Sequence, residues 1–334
     1  MRILIATPLY PPQIGGPAKY AKKLHDEFGR RSIAAPVVVW GRIEQLLPWG
    51  LRHLWYFVRL LPHIARAHVV LALDASSVAL PALFTAKLFR KKILVRIGGD
   101  FLWEMYIERT EEMIKLSEFY TTKRNFSMRE RIIYTATKYL ARHADILLFN
   151  TSWQLGIWQR AYQFDVARAK VMENEYPPKQ ISAPPMRKKF IAAGRGIRYK
   201  NIPAFAAAFA KVKERYPEIE LDTRALPPEE HTERITQCFA VVVPSVSEVN
   251  SNFIIEALSY GKPFITTRDS GMDERVRGLG MFIDTARESE MEEAIEAMLD
   301  PSIYRGYVRH IDEFSYTHSW KEIAEEILKF AREV

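Results

Sequence analysis

The chain has 334 residues, 48% hydrophobic and 26% charged, which is enough for two domains with their own cores and unlike a disordered segment. Its one cysteine, Cys238, excludes a disulfide framework and a cysteine-rich metal site, and no run of about 18 apolar residues is present to span a bilayer. The net charge of +8 is unevenly placed: residues 1–170 hold 26 Lys and Arg against 13 Asp and Glu, and the remainder holds 22 against 27. Folding requires no such split. It implies that the basic half meets something anionic, a lipid-phosphate acceptor or an acidic membrane face, rather than nucleic acid. An uninformative basic surface is the plainer alternative. The opening MRILIATPLY is broken by proline too soon for a signal peptide, so the expected compartment is the cytoplasm.

In chain order, residues 3–7 predict a buried first strand, followed by a stiff proline turn and by Gly15-Gly16-Pro17 opening a helix over 18–28. Glycines before a helix let backbone amides approach a ligand, although many ordinary βα turns carry them too. A G-x-G-x-x-G fingerprint is missing, which disfavours an NAD(P)-dependent oxidoreductase. Strands are expected over 37–40, 69–73 and 92–97. Between them, residues 46–68 read as a helical region mixing Trp49, Trp55 and Phe57 with Arg52, Arg59 and Arg66. That mixture fits an interfacial membrane contact and equally a core-facing helix whose arginines snorkel outward. Gly98-Gly99-Asp100 follows the fourth strand at the carboxyl edge, where Asp100 is either an N-cap or a ligand contact. Residues 104–142 read as one long charged helical stretch, a solvated face or an acceptor-side basic patch. Residues 144–152 read as the last strand of this half, and the prolines of 175–185 mark a linker.

The second half opens with a strand at 190–195 ending in Gly194-Arg195, then Lys200-Asn201 and a helix over 203–215. After a strand at 218–222 comes the stretch VVVPSVSEVNSNFIIEALSYGKPFITT. It reads as a buried strand, a polar loop, a helix capped by Asn250 or Ser251, a glycine stop at Gly261 and another strand. Glu248 lies in the loop and Glu256 about a turn into the helix. Free backbone amides and a helix dipole at that edge suit a diphosphate, while carboxylates accept hydrogen bonds from vicinal diols. The last 15 residues predict an amphipathic helix.

Pro244-Ser245, the spacing of Glu248 and Glu256, Glu256-Ala257-Leu258, Gly261-Lys262-Pro263 and the Gly194-Arg195 to Lys200 pattern resemble the retaining GT-B glycosyltransferases of family 4 (group 1). The resemblance implies an α/β fold of two Rossmann-like domains facing a cleft. The expected division is 1–175 as an acceptor-side domain, 176–188 as linker, 189–313 as nucleotide-sugar domain, and 314–334 as a helix crossing back toward the first domain. Only 223–237 separate two strands where the family fits a further strand and helix, so the C-terminal domain is expected to be trimmed. The implied activity is hexosyltransferase-like and metal-independent. It moves a sugar from a nucleoside-diphosphate donor to a lipid-linked, polysaccharide or other hydroxyl acceptor, with no cofactor. By the same resemblance, Glu248 contacts the donor sugar, Glu256 the ribose, and Arg195 and Lys200 the diphosphate. Gly15, Gly16, Asn250, Ser251, Asn252 and Phe253 complete the donor site. The family's histidine near the fourth strand is absent, and Asp100 is the candidate to replace it as a catalytic group. The alternative is a non-catalytic nucleotide-sugar-binding or scaffold protein of the same fold. Peripheral attachment at the inner membrane face fits the charge split.

Overall fold

A computed structural model describes residues 1–334 except 14, 193–195, 225–227 and 334, and except the side chains of 228 and 229. Its first elements are β1 (Ile3–Thr7), α1 (Gly16–Arg30), β2 (Val37–Val39), α2 (Arg42–Leu46), α3 (Trp49–Ile64), β3 (Val69–Ala72), α4 (Ala79–Leu88) and β4 (Lys92–Ile97). There follow α5 (Phe101–Thr110), α6 (Leu116–Phe119), α7 (Met128–His143), β5 (Ile146–Phe149), α8 (Ser152–Tyr162), β6 (Ala169–Val171), β7 (Lys189–Ile191), α9 (Ile202–Arg215) and β8 (Glu220–Asp222). The chain ends with α10 (Pro228–Gln237), β9 (Ala240–Val243), α11 (Asn252–Ser259), β10 (Phe264–Thr267), α12 (Asp273–Val276), β11 (Gly280–Ile283), α13 (Glu288–Leu299), α14 (Pro301–Glu313) and α15 (Trp320–Glu333).

Two compact units form. The first comprises Met1–Leu102, Asn125–Asn174 and Ser319–Val334, the second Trp103–Arg124 and Glu175–His318. Residues 103–124 precede the expected linker in sequence yet count with the second unit.

The first unit holds a six-stranded sheet in the order β2-β1-β3-β4-β5-β6, with every pairing parallel. Apolar runs such as Ile3–Thr7 are buried along their whole length, as a strand covered on both faces must be. Against one face pack α1 and α15, which bury Leu24 and Phe28 beside Ile323, Ile327 and Leu328. Burying an Ile or Leu side chain is worth about 1.5–3 kcal/mol, so this face alone ties the last helix to the first unit. Arg96 on β4 is buried there, donating to Met172 O at 3.0 Å and Asn174 Oδ1 at 2.6 Å with its guanidinium 4.2 Å from the Tyr20 ring. Burial pushes the Tyr20 hydroxyl up to about 12.

The second unit holds a parallel sheet in the order β11-β10-β9-β7-β8. One face carries α9 and α13 around Phe190, Phe205, Phe209 and Ile295, the other α11 around Ile254, Ala257 and Leu258. Cys238 is buried in the second cluster, and burial raises its thiol to about 12, so it acts as a small apolar side chain. Asp222 at the end of β8 accepts from Arg224 at 3.0 and 2.9 Å and lies 2.7 Å from Arg234. The Arg224 hydrogen bonds lower its carboxyl from 3.8 to about 2. A carboxyl lowered by folding stabilises the folded state above its unfolded pKa and loses that contribution as pH falls through its folded value. Acid titration of stability should therefore show a loss of at most about 2 kcal/mol between about pH 4 and pH 2, reduced by the exposure of Arg224. Asp222→Asn should abolish that step; an unchanged acid limb would reject the assignment.

Several expected elements differ. The stretch 104–142 is not one helix: 111–115 and 120–127 are non-helical, and Ser127 starts α7 with a capping box to Glu130. The region 46–68 is α2 and α3 parted at Pro48, which precedes the first turn of α3. Residues 146–149 are not the last strand of the first unit, because β6 pairs on β5 as an edge. Its short sequence, AKV, carries no alternation to reveal it. The segment between β8 and β9 contains α10, with no further strand among the described residues.

Candidate donor site

In the second sheet the strand order turns back between β7 and β9, and ligands of such sheets bind at the carboxyl ends of the strands flanking that reversal. Two loops lie there, described over 196–201 and 244–251. They are laced together: Val246 N donates to Tyr199 O at 2.8 Å, Asn201 Nδ2 to Thr285 O at 3.1 Å, and Thr285 Oγ1 to Ser245 O at 3.1 Å. Lys200 ends a short 3-10 turn, and its Nζ donates to Glu248 Oε2 at 2.8 Å. Ser245 Oγ donates to the same oxygen at 3.2 Å. Glu248 is fixed through its backbone as well, since its N donates to Asp269 O and Gly271 N donates to its O, both at 3.0 Å. With side chains 21% and 12% exposed, Lys200 and Glu248 form a partly buried pair facing the strand reversal.

Beyond Glu248 the chain enters α11. Ser251 caps it by accepting from Ile254 N at 3.5 Å, while Ser251 N donates to Met272 Sδ at 3.2 Å. The capping role falls to Ser251 because its hydroxyl reaches forward to the amide three residues on. Asn250 Oδ1 is buried without a hydrogen-bond partner in the described residues. Asn252 is exposed at the helix start and Phe253 half-buried. Glu256, in the second turn, lies 3.3 Å from His231 Nε2 on α10, and the His231 and Phe253 rings are 5.3 Å apart. Gly261 stops the helix with φ +70°, a conformation open to glycine.

No local pattern points to His231, because its pairing with Glu256 joins two helices on either side of a strand. Ser245 was legible as part of Pro244-Ser245, but not its bond to Glu248. The same is true of the chain segment that buttresses this loop. Leu116 N donates to Ser247 Oγ at 2.8 Å, and Lys115 Nζ pairs with Asp284 at 3.1 Å. A cavity of 420 Å³ lies beside it, lined by Met113, Lys115, Asn201, Val246 and Met291 among others; Lys200, Glu248 and Glu256 are not in its lining.

Thus Lys200, Glu248, Asn250, Ser251, Asn252, Phe253 and Glu256 come from two adjoining loops and one helix of the second unit. Arg195 lies outside the described residues. Gly15, Gly16 and Asp100 belong to the first unit. There Gly15 precedes α1 with φ +150°, a backbone suited to glycine, at the carboxyl end of β1. Asp100 follows β4 and is 2% exposed, in a turn held by Asn150 Nδ2 donating to Gly98 O at 3.1 Å.

No protein-family model matches the sequence, and no curated protein is similar to it by sequence. Solved structures match over almost the whole chain. A sucrose-phosphate synthase from Thermosynechococcus elongatus is 12% identical with TM-score 0.71, covering 99% of this chain and 98% of its own. WaaG, a glycosyltransferase involved in lipopolysaccharide biosynthesis, is 12% identical with TM-score 0.66, covering 98% and 99%. A Listeria monocytogenes structure assigned as a UDP-N-acetylglucosamine 2-epimerase is 12% identical with TM-score 0.60, covering 98% and 94%. The chain therefore has the GT-B fold of glycosyltransferases. At such identities the likeness establishes the architecture and leaves the chemistry to the site.

Proposed function

We propose that this protein is a retaining glycosyltransferase of the family 4 type, moving a sugar from a nucleoside-diphosphate donor to a hydroxyl of a lipid-linked or polysaccharide acceptor. The observation that carries the reading is the Lys200–Glu248 pair at the strand reversal, followed by a Ser251-capped helix that bears Glu256. Lys200 and Arg195 hold the diphosphate, assisted by the positive end of the α11 dipole. Glu248 takes the sugar hydroxyls and Glu256 the ribose diol. Asn250, Asn252 and Phe253 line the donor, and the backbone at Gly15 and Gly16 serves its phosphates.

As the bond between the anomeric carbon and the phosphate oxygen breaks, negative charge grows on the leaving diphosphate, and fixed cations lower the energy of that state. The acceptor oxygen forms its bond on the same face of the sugar, and its proton passes to the departing phosphate oxygen. No protein base and no metal is needed for this sequence. The burial of Asp100 favours a positioning role for it over direct contact with the acceptor.

The acceptor-side reading rests on charge: the first unit holds 25 Lys and Arg against 13 Asp and Glu. An anionic acceptor or membrane face on the cytoplasmic side suits it. Among the described residues no helix is long and apolar enough to cross a membrane.

Since one structural neighbour carries a UDP-sugar in its name, UDP is the first probe. Calorimetry across UDP, GDP, ADP and TDP should find one that binds, and the matching sugar nucleotides should then give transfer to an added acceptor. Failure of all four to bind would overturn the donor site. Binding without turnover would favour the non-catalytic alternative, and an epimerised donor with no acceptor consumed would show the fold serving different chemistry.

A further inference from the structure

We infer that the outer face of α2 and α3 in the first unit inserts shallowly into the interface of an anionic lipid bilayer; this deepens the partner reading above by naming the surface and its occupant. Helix α3 turns Tyr56, Leu60 and Ile64 to the core, where Tyr56 OH donates to Val38 O at 2.7 Å. Its other side is apolar as well. Leu51, Leu54, Trp55 and Val58 recur at helical spacing and stand 38–60% exposed, while Leu46 at the end of α2 is 86% exposed. A helix that is apolar on its solvent side needs a second apolar phase, and a contiguous stripe differs from the scattered exposed leucines of an ordinary surface.

The charges around the stripe select that phase. Arg42, Arg52, Arg59 and Arg66 flank it, and the one acid between 42 and 68, Glu44, is buried and paired with Arg59. Among the described residues no ion pair engages Arg42, Arg52 or Arg66. Three arginines outside any described ion pair, with the single local acid buried, around exposed Leu and Trp are the chemistry of a helix lying in the plane of anionic headgroups. Trp55, half out of the protein, suits the headgroup level.

The test is flotation of the full chain with phosphatidylcholine vesicles, with and without phosphatidylglycerol. Wild-type protein should float with the anionic vesicles at about 0.1 M salt and far less with neutral ones. Near 1 M salt, where the screening length falls to about 3 Å, partial binding should persist through the apolar stripe. The pair Leu54→Ser and Trp55→Ser alters exposed side chains and should lower partitioning at least tenfold. The pair Arg42→Ser and Arg66→Ser should remove the preference for anionic lipid. Failure of wild type to float with anionic vesicles, equal flotation with neutral ones, or wild-type flotation of the Leu54/Trp55 variant would each overturn the inference. So would a wild-type dimer that this variant converts to monomer, because the stripe would then belong to a second copy. Calorimetry with UDP, run without vesicles, reads the donor site separately, so either idea can fail alone.

Discussion

Glu248→Gln is expected to lower turnover about 10- to 100-fold while leaving nucleoside-diphosphate affinity intact, the scale of one lost charge-assisted hydrogen bond in the transition state. Glutamine keeps the shape and one acceptor but not the charge. It would also release Lys200, whose Nζ is 2.8 Å from Glu248 Oε2, so diphosphate binding should hold or tighten. Glu256→Gln should do the reverse. The ribose is present in donor and product alike, so free-nucleotide affinity falls and the turnover of bound donor changes little. Lys200→Ala should weaken diphosphate binding by about 1.5–3 kcal/mol. Calorimetry and initial rates on the three variants separate these roles, and identical losses in Glu248→Gln and Glu256→Gln would refute the division of labour.

Phe190→Ala should cost about 3–5 kcal/mol in the second unit, the range for removing a fully buried aromatic side chain. Its ring lies 5.5 Å from that of Phe209 and 5.4 Å from that of Phe239, both edge-on, and Phe239 stacks on Tyr304 at 4.1 Å. Truncation removes the ring at the centre of that group, on the strand that leads into the loop bearing Lys200. Peptide-resolved hydrogen exchange should show faster exchange of the β7, β8 and β9 amides, with β1 and β3 unaffected. Uniform acceleration through both sheets, or none, would mean the aromatic group does not hold the second unit as a separate cooperative body.

The legible part of this protein is what depends on near neighbours in sequence. Val241–Val243 had to be a strand covered on both faces because nothing in it tolerates water. Ser251 could be read as a cap, Gly261 as a stop and Gly15 as the glycine before a helix, since each role is set within a turn of chain. The spacing of Glu248 and Glu256 placed one acid in a loop and the other on a helix for the same reason.

What the sequence could not determine was how distant segments pair. The edge strand Ala169–Val171 gains its identity from β5, and 103–124 from Ser247 and Asp284 rather than from its chain neighbours. The pairs Lys200–Glu248 and His231–Glu256 join residues that share no local pattern, so only the packed sheet could bring them within 2.8 and 3.3 Å. Helix α3 shows the division most plainly. Composition left two readings open, apolar residues facing the core or facing a membrane, and the structure buries one set of them in the core and leaves another exposed. Period 3.6 fixes which side chains share a face, but only the sheet beneath decides which face is covered and which is left bare.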